Sequence, residues 1–330
     1  MNLKNETIEK FVEHRNGEKK LFTAGPASLL LENITGLRPC FGRGDLDYAE
    51  VEASVLDTLK HMTGHDNIVR LQGSASLALE IMALNFLYGK VIVVSTGYYS
   101  DRLNWLANSA QRRNGQITEI KQVDWQAIEN LEGRADWVFV CYTETSCGLK
   151  LPVEALHSLA QRINAHLMID ATASIGLEPS HEIADVVGYS SCKGLFGLTG
   201  AAFIAYNEQP TVEVNSFYLN MQTHKEKLMT GPYHSICSLA DVLPKHDEFK
   251  AAVAENKRVF LERMKGFLTL PESHQPLLCT HVNYEIKSSD PQAILYKPRS
   301  NSGGSVVCHL GEAHFGKNAH ANILDALDLP

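Results

Sequence analysis

The sequence predicts an α/β protein: a mostly parallel central sheet with helices on both faces, followed by a smaller C-terminal α/β domain. Apolar runs of strand length alternate with helix-like stretches over most of the chain, the pattern of a sheet covered on both sides. After about residue 235 the character changes to a strongly amphipathic helix and then short strand-like pieces. The 330 residues, 44% hydrophobic and 21% charged, suit one large globular domain and a smaller one.

Taken in order, residues 1–20 form a polar N-terminal segment lying across one domain or the other. Residues 21–235 make the large domain and 236–330 the small one. Val51, Val55, Leu59 and Met62 share one face of a helix, and Gly64 stands where a left-handed cap would end it. Residues 76–88 are apolar nearly all round and end at Gly89, which predicts a buried helix. Strands are expected at 91–95, 117–120, 137–141, 167–170, 186–190 and 201–206. Phe249, Val253, Asn256, Phe260, Met264 and Phe267 mark the amphipathic helix of the small domain, and a strand is expected at 282–286.

Composition excludes several classes of function. The formal charge of −8 arises from 38 acidic and 30 basic residues spread along the chain, so no basic stripe is ready to bind nucleic acid. No signal-peptide core and no membrane-spanning apolar run appears, which predicts a cytoplasmic protein without a membrane partner. The seven cysteines are never spaced as CxxC, which argues against a disulfide framework and against a metal site, and most are expected to be small buried hydrophobes.

In an open α/β sheet, ligands bind beyond the carboxyl ends of the strands, and four such places carry chemistry. At Leu71-Gln72-Gly73-Ser74-Ala75-Ser76 a small-residue loop opens into the buried helix, whose N–H groups and Ser74 and Ser76 hydroxyls suit a phosphate dianion; a plain serine cap would look the same. Asp170 ends a hydrophobic strand, where a buried carboxylate needs a cation such as a protonated pyridine nitrogen, although turn aspartates are common there too. Lys193 follows the next strand in Ser190-Ser191-Cys192-Lys193-Gly194, a setting that desolvates the amine toward the neutral form imine chemistry needs; most lysines are only surface charge. Tyr98 and Tyr99 follow the strand at 91–95, as a shelf for a flat ring or as part of the core. An acid and a lysine at the ends of successive strands place both on one rim, as pyridoxal 5′-phosphate requires of an enzyme.

These places together resemble the class V, fold type I aminotransferases, especially the alanine–glyoxylate and 2-aminoethylphosphonate–pyruvate branch. The resemblance runs from about Leu21 to Leu239. Phe22-Thr23-Ala24-Gly25-Pro26-Ala27 is similar to that branch's opening turn, which implies that Gly25 and Pro26 lie against the substrate. The loop at 70–76 resembles its phosphate loop, giving Ser74, Ala75 and Ser76 to the phosphate, and Thr96-Gly97-Tyr98-Tyr99-Ser100-Asp101-Arg102 makes Tyr99 the stacking ring. Tyr142-Thr143-Glu144-Thr145-Ser146-Cys147-Gly148 resembles H-x-E-[ST]-[ST]-x-G and carries Thr145 to the ring edge. Asp170 falls on the pyridinium partner, Lys193 on the Schiff-base lysine and Cys192 on its phosphate-side neighbour. Thr230, in Met229-Thr230-Gly231-Pro232-Tyr233-His234, falls on the segment that reaches the other subunit's cofactor in a homodimer with active sites at the interface.

The resemblance implies a pyridoxal phosphate-dependent transaminase, with Lys193 shuttling a proton while an amino group moves from a small amine or amino acid, 2-aminoethylphosphonate among them, to a 2-oxo acid such as pyruvate or glyoxylate. It also departs from the family. The histidine opening the H-x-E run is Tyr142, and the usual C-terminal F-R-I-G-x-x-G stretch with its carboxylate-binding arginine reads Gly304-Ser305-Val306-Val307-Cys308-His309-Leu310-Gly311-Glu312, with no arginine. Arg299 is the nearest guanidinium, a substitute clamp or a solvated loop residue. Two other readings stay open: a lyase or cysteine desulfurase-like enzyme on the same fold, with Cys308 as the nucleophile, and a non-catalytic module.

Overall fold

The computed structural model describes residues 7–27, 29–39, 44–226, 229–299, 303–314 and 323–330. Cys40 lies outside the described residues. Its centre is a seven-stranded sheet. Numbered within that sheet, the strands are β1 (Asn67–Gln72), β2 (Gly89–Ser95), β3 (Ile117–Asp124), β4 (Trp137–Cys141), β5 (His166–Asp170), β6 (Val186–Ser190) and β7 (Ala201–Tyr206). Their spatial order is β1-β7-β6-β5-β4-β2-β3. Only β7 is reversed, antiparallel to β1 and β6, and the other neighbours pair in parallel. The mostly parallel α/β architecture expected from the alternating pattern is therefore the one observed.

The differences lie at the two edges. β1 has no counterpart among the expected strands, because Asn67, Arg70 and Gln72 interrupt its apolar character, as an edge strand with a wet side allows. β3 runs four residues beyond the expected 117–120, its polar second half held by pairing up to Ser95↔Asp124. The inner strands β4, β5 and β6 are almost wholly buried.

Helices cover both faces. Leu46–Thr63 begins where the Asp45 carboxylate accepts from Tyr48 N–H (3.2 Å) and ends at Gly64, φ +70°, with Val55 and Leu59 turned into one core. The helix Ala75–Phe86 is buried nearly all round in the core on the opposite face. It lies so close to β6 that a Cβ on Gly188 would sit 2.2 Å from Met82 Sδ.

In the C-terminal region the helix His246–Met264 buries Phe249, Val253, Asn256, Phe260 and Met264, as its periodicity predicts, while Phe267 belongs to a separate turn. The strand expected at 282–286 is displaced. Its pairing covers Cys279–Val282 against Ser305–Cys308 and stops at Val282↔Ser305, next to Gly304, whose left-handed φ of +61° and close approach to the Val282 carbonyl leave no room for a Cβ. The polar start of the chain is tied to this region: Lys20–Phe22 pairs in parallel with Ala293–Leu295, and Phe22 packs with Phe260 and Val307. Among the described residues, no helix is long and apolar enough to cross a membrane.

Candidate active site

β5 and β6 are parallel neighbours with Asp170 level with Gly188, so the segments that leave them share one rim of the sheet. Asp170 is 2% exposed. Its Oδ1 accepts the Thr172 N–H at 2.9 Å, while Oδ2 is buried without a hydrogen-bond partner. Lys193 sits in the loop after β6. Ser191 N–H donates to the Ala201 carbonyl (3.0 Å), Gly197 N–H to Ser191 (2.8 Å) and Phe196 N–H to the Lys193 carbonyl (2.9 Å), which closes the loop on itself. Phe196 takes a left-handed φ of +55° and is fully buried, a strained position held by its packing.

The opening turn lies directly behind the lysine. Ala27 N–H donates to the Cys192 carbonyl at 2.7 Å, and a Cβ on Gly25 would come within 2.8 Å of Lys193 Cγ. Only a residue without a side chain lets the lysine stem pass, and the Gly25 φ of +112° favours glycine for a second reason.

Tyr99 is the second residue of the helix Tyr98–Asn114, with its ring centroid 5.9 Å from Lys193 Nζ. That helix start hangs on Glu144, which is fully buried. One carboxylate oxygen accepts from Tyr99 N–H (2.9 Å) and Ser100 N–H (3.2 Å), the other from Ser146 N–H (3.1 Å) and the Ser146 hydroxyl. Burial pushes the carboxyl above its usual range, against the pull of these donors.

Asp170, Lys193, Tyr99 and Thr145 line one cleft, together with Thr143, Thr172 and Ala173. The Oγ atoms of Thr143 and Thr172 are, like Asp170 Oδ2, buried without a partner. Leaving such groups unpaired costs about 1–3 kcal/mol each, so the polar lining of the cleft matches the chemistry of a flat ligand with a ring N–H and polar edge substituents, as pyridoxal phosphate is. Ser74 caps the helix Ala75–Phe86 without a side-chain hydrogen bond to it, and Ser74 and Ser76 are exposed. The Ser74 hydroxyl and the first helix N–H groups are thus turned toward a site for an anion, while Leu77 N–H donates to the Ser74 carbonyl and Ser76 Oγ accepts from Arg102.

Other expected residues lie apart. Cys192 is half-buried, with its sulfur 3.7 Å from Ser190 Oγ, beside the cleft rather than in it. Thr230 lies on a separate groove with Gln72, Gly73 and Thr199, and is not brought to the cleft within one chain. Arg299 reaches over the mouth: Nη1 donates to the Tyr98 hydroxyl at 3.0 Å, and Tyr98 meets Tyr99 edge-on at 5.3 Å between centroids. Cys308 is fully buried in a strand opposite Cys279, and burial pushes its thiol up, which removes it as a mobile nucleophile.

Sequence reasoning missed Glu144, Arg102 and Tyr296. Burial raises the Tyr296 phenol, which faces Thr145, Tyr99 and Cys308. Helical spacing could have found Arg102, which stands three residues after Tyr99 on the same face.

A family model described as Aminotransferase class-V matches residues 47–229, more than half of the chain. A 2-aminoethylphosphonate–pyruvate transaminase of Pseudomonas aeruginosa PAO1 is 27% identical over 263 residues, covering 72% of this chain and 71% of that one. One of Salmonella paratyphi C is 27% identical over 256 residues, covering 68% and 69%. An alanine–glyoxylate aminotransferase from Nostoc sp. superposes with a TM-score of 0.75 at 16% identity, covering 88% of this chain and 89% of its own. A subgroup IV aspartate aminotransferase from Thermus thermophilus gives 0.74 at 19%, covering 89% and 93%. With its fold, cleft and family match in agreement, this chain belongs to the class V aminotransferases and is a pyridoxal phosphate-dependent transaminase.

Proposed function

We propose that this transaminase moves the amino group of a small acid-bearing amine, 2-aminoethylphosphonate first among them, to a 2-oxo acid such as pyruvate or glyoxylate. The observation that carries the reading is that Lys193 and Asp170, from the ends of adjacent parallel strands, line one cleft with Tyr99. The names of the two bacterial relatives support this donor and acceptor.

When bound, pyridoxal phosphate supplies an aldehyde carbon that links to amines and a protonated ring that draws electrons from the reacting carbon. Lys193 Nζ holds the aldehyde end at rest. Asp170 Oδ2, which has no hydrogen-bond partner, would accept the ring N–H. Tyr99 would pack against the ring face and Thr145 bond its edge, while Ser74, Ala75 and Ser76 would bind the phosphate at a positive helix end. Cys192 stands on the phosphate side of the lysine. Lys193 Nζ would also move the proton of the donor's reacting carbon, taking it as general base and returning it as general acid. Gly25 and Pro26 wall the substrate side behind the lysine stem, and Arg299 over the mouth holds the substrate's acid group.

The enzyme works as a homodimer in the cytoplasm. The exposure of the large apolar side chains Trp105, Phe217 and Tyr218 supports burial against a second copy, with Thr230 serving the partner's phosphate. The unpaired state of every described cysteine supports a reducing compartment.

The test is the absorption spectrum of the purified protein, followed by a panel of amines with pyruvate. A visible cofactor band that is lost in Lys193→Ala, and alanine formed in step with consumption of one acid-bearing amine, is the expected result. A protein that stays colourless with added pyridoxal phosphate would sink the reading, and consumption of the amine without alanine would replace transamination with lyase chemistry.

A further inference from the structure

Arg102 projects from the helix Tyr98–Asn114 into the same cleft. Its guanidinium carbon lies 4.9 Å from the Tyr99 ring centroid. Nη1 donates to Ser76 Oγ at 3.1 Å, and Nη2 stands 3.8 Å from Asp170 Oδ2. One cation therefore spans the serine at the phosphate loop, the aromatic shelf and the buried carboxylate. Its Nε is buried without a partner.

The spacing to Asp170 carries the argument. A carboxylate 2% exposed needs a compensating positive charge. Among the described residues, Arg102 is the salt-bridge partner Asp170 has. At 3.8 Å the guanidinium supplies charge without hydrogen-bonding to Oδ2, whose lone pairs stay free for another donor. A tighter contact would block that atom. At its other end the same guanidinium orients the Ser76 hydroxyl where an anionic group would dock, and guanidinium keeps its charge at any working pH.

We propose that Arg102 is a cofactor-positioning residue: it balances the buried charge of Asp170 and, through Ser76, couples the ring end of the site to the phosphate end. The inference rests on the cofactor reading of the cleft given above.

The test is equilibrium titration of cofactor-free protein with pyridoxal phosphate, followed by absorbance and tryptophan fluorescence, for wild type, R102M, R102K, D170N and the R102M/D170N double variant. R102M should weaken binding at least about tenfold and R102K should recover part of the loss, since charge is restored without the planar fork. In the D170N background the effect of R102M should shrink to about threefold or less, because part of what Arg102 does acts through that carboxylate. Unphosphorylated pyridoxal should also bind R102M more weakly than wild type. Binding by R102M within about twofold of wild type, or full independence of the two substitutions, overturns the inference while leaving the cofactor reading intact. A wild-type protein that binds no pyridoxal phosphate overturns both. Melting of the cofactor-free variants serves as the fold control, and should R102M not fold, R102K alone must still bind more weakly than wild type.

Discussion

Glu144 is the clearest place to test how the cleft is built. Replacing it with glutamine keeps its shape, but one oxygen becomes an amide that faces donors. The Tyr99 and Ser100 N–H groups can keep the remaining oxygen, at 2.9 and 3.2 Å in the native arrangement, so the amide falls on the Ser146 side and that N–H loses its acceptor. Hydrogen bonds to a charged group contribute about 1.5–3 kcal/mol against about 1 for neutral ones, and an orphaned buried N–H costs about 1–3 kcal/mol. Against this stands the relief of no longer burying a charge, whose size is signalled by the raised carboxyl. The expected net loss is about 2 kcal/mol for E144Q, and about 4 kcal/mol for E144A, which orphans the donors on both sides. Denaturant titration of the cofactor-free protein measures it, as a shift in midpoint. Cofactor affinity should fall much less, since a misplaced Tyr99 forfeits a ring contact of about 0.5–1.5 kcal/mol, or up to about tenfold. An unmoved midpoint in E144Q would refute the claim that this carboxylate organises the shelf. A thousandfold loss of affinity with little loss of stability would refute the claim that it acts only through the helix start.

Arg299→Met should raise KM for the acid-bearing substrate about tenfold, the scale of one charge-assisted hydrogen bond at an exposed site, with cofactor affinity unchanged. Equal losses in both would place Arg299 elsewhere in the mechanism. Gly25→Ala forces a Cβ to within 2.8 Å of Lys193 Cγ at φ +112°, so stability should drop by about 1–3 kcal/mol and the visible cofactor band should form incompletely. His181, 2% exposed with Ser174 Oγ 2.9 Å from Nε2, has its pKa pushed down to about 4 by burial. The unfolded chain takes up that proton near pH 6.5 and the folded chain only near 4, so stability should fall as pH drops through this window. The loss reaches about 3 kcal/mol below pH 4. His181→Gln should flatten that limb in pH-dependent unfolding.

The inner sheet was legible in the chain because β4, β5 and β6 are buried on both faces and their composition says so without neighbours. The edge strand β1 was not, since one wet side admits Arg70 and Asn67 into a strand that only pairing with β7 defines. Asp170, Lys193 and Tyr99 could be singled out because each follows a recognisable strand, and strand ends in such a sheet share a rim. Glu144 could not be assigned its place from sequence, because it works through N–H groups 45 residues back along the chain.

The sequence by itself determined the α/β class, the strand ends that carry chemistry and the family, because burial on both faces and small-residue loops leave local signatures. Tertiary structure alone decided which polar atoms are left open in the cleft. It alone set Arg102 between Ser76 and Asp170, swung Arg299 onto Tyr98, and buried Cys308 in a strand. The reason is physical: charge pairing and accessibility depend on distances between segments remote in the chain, and those exist only once the sheet and its helices have closed around the cleft.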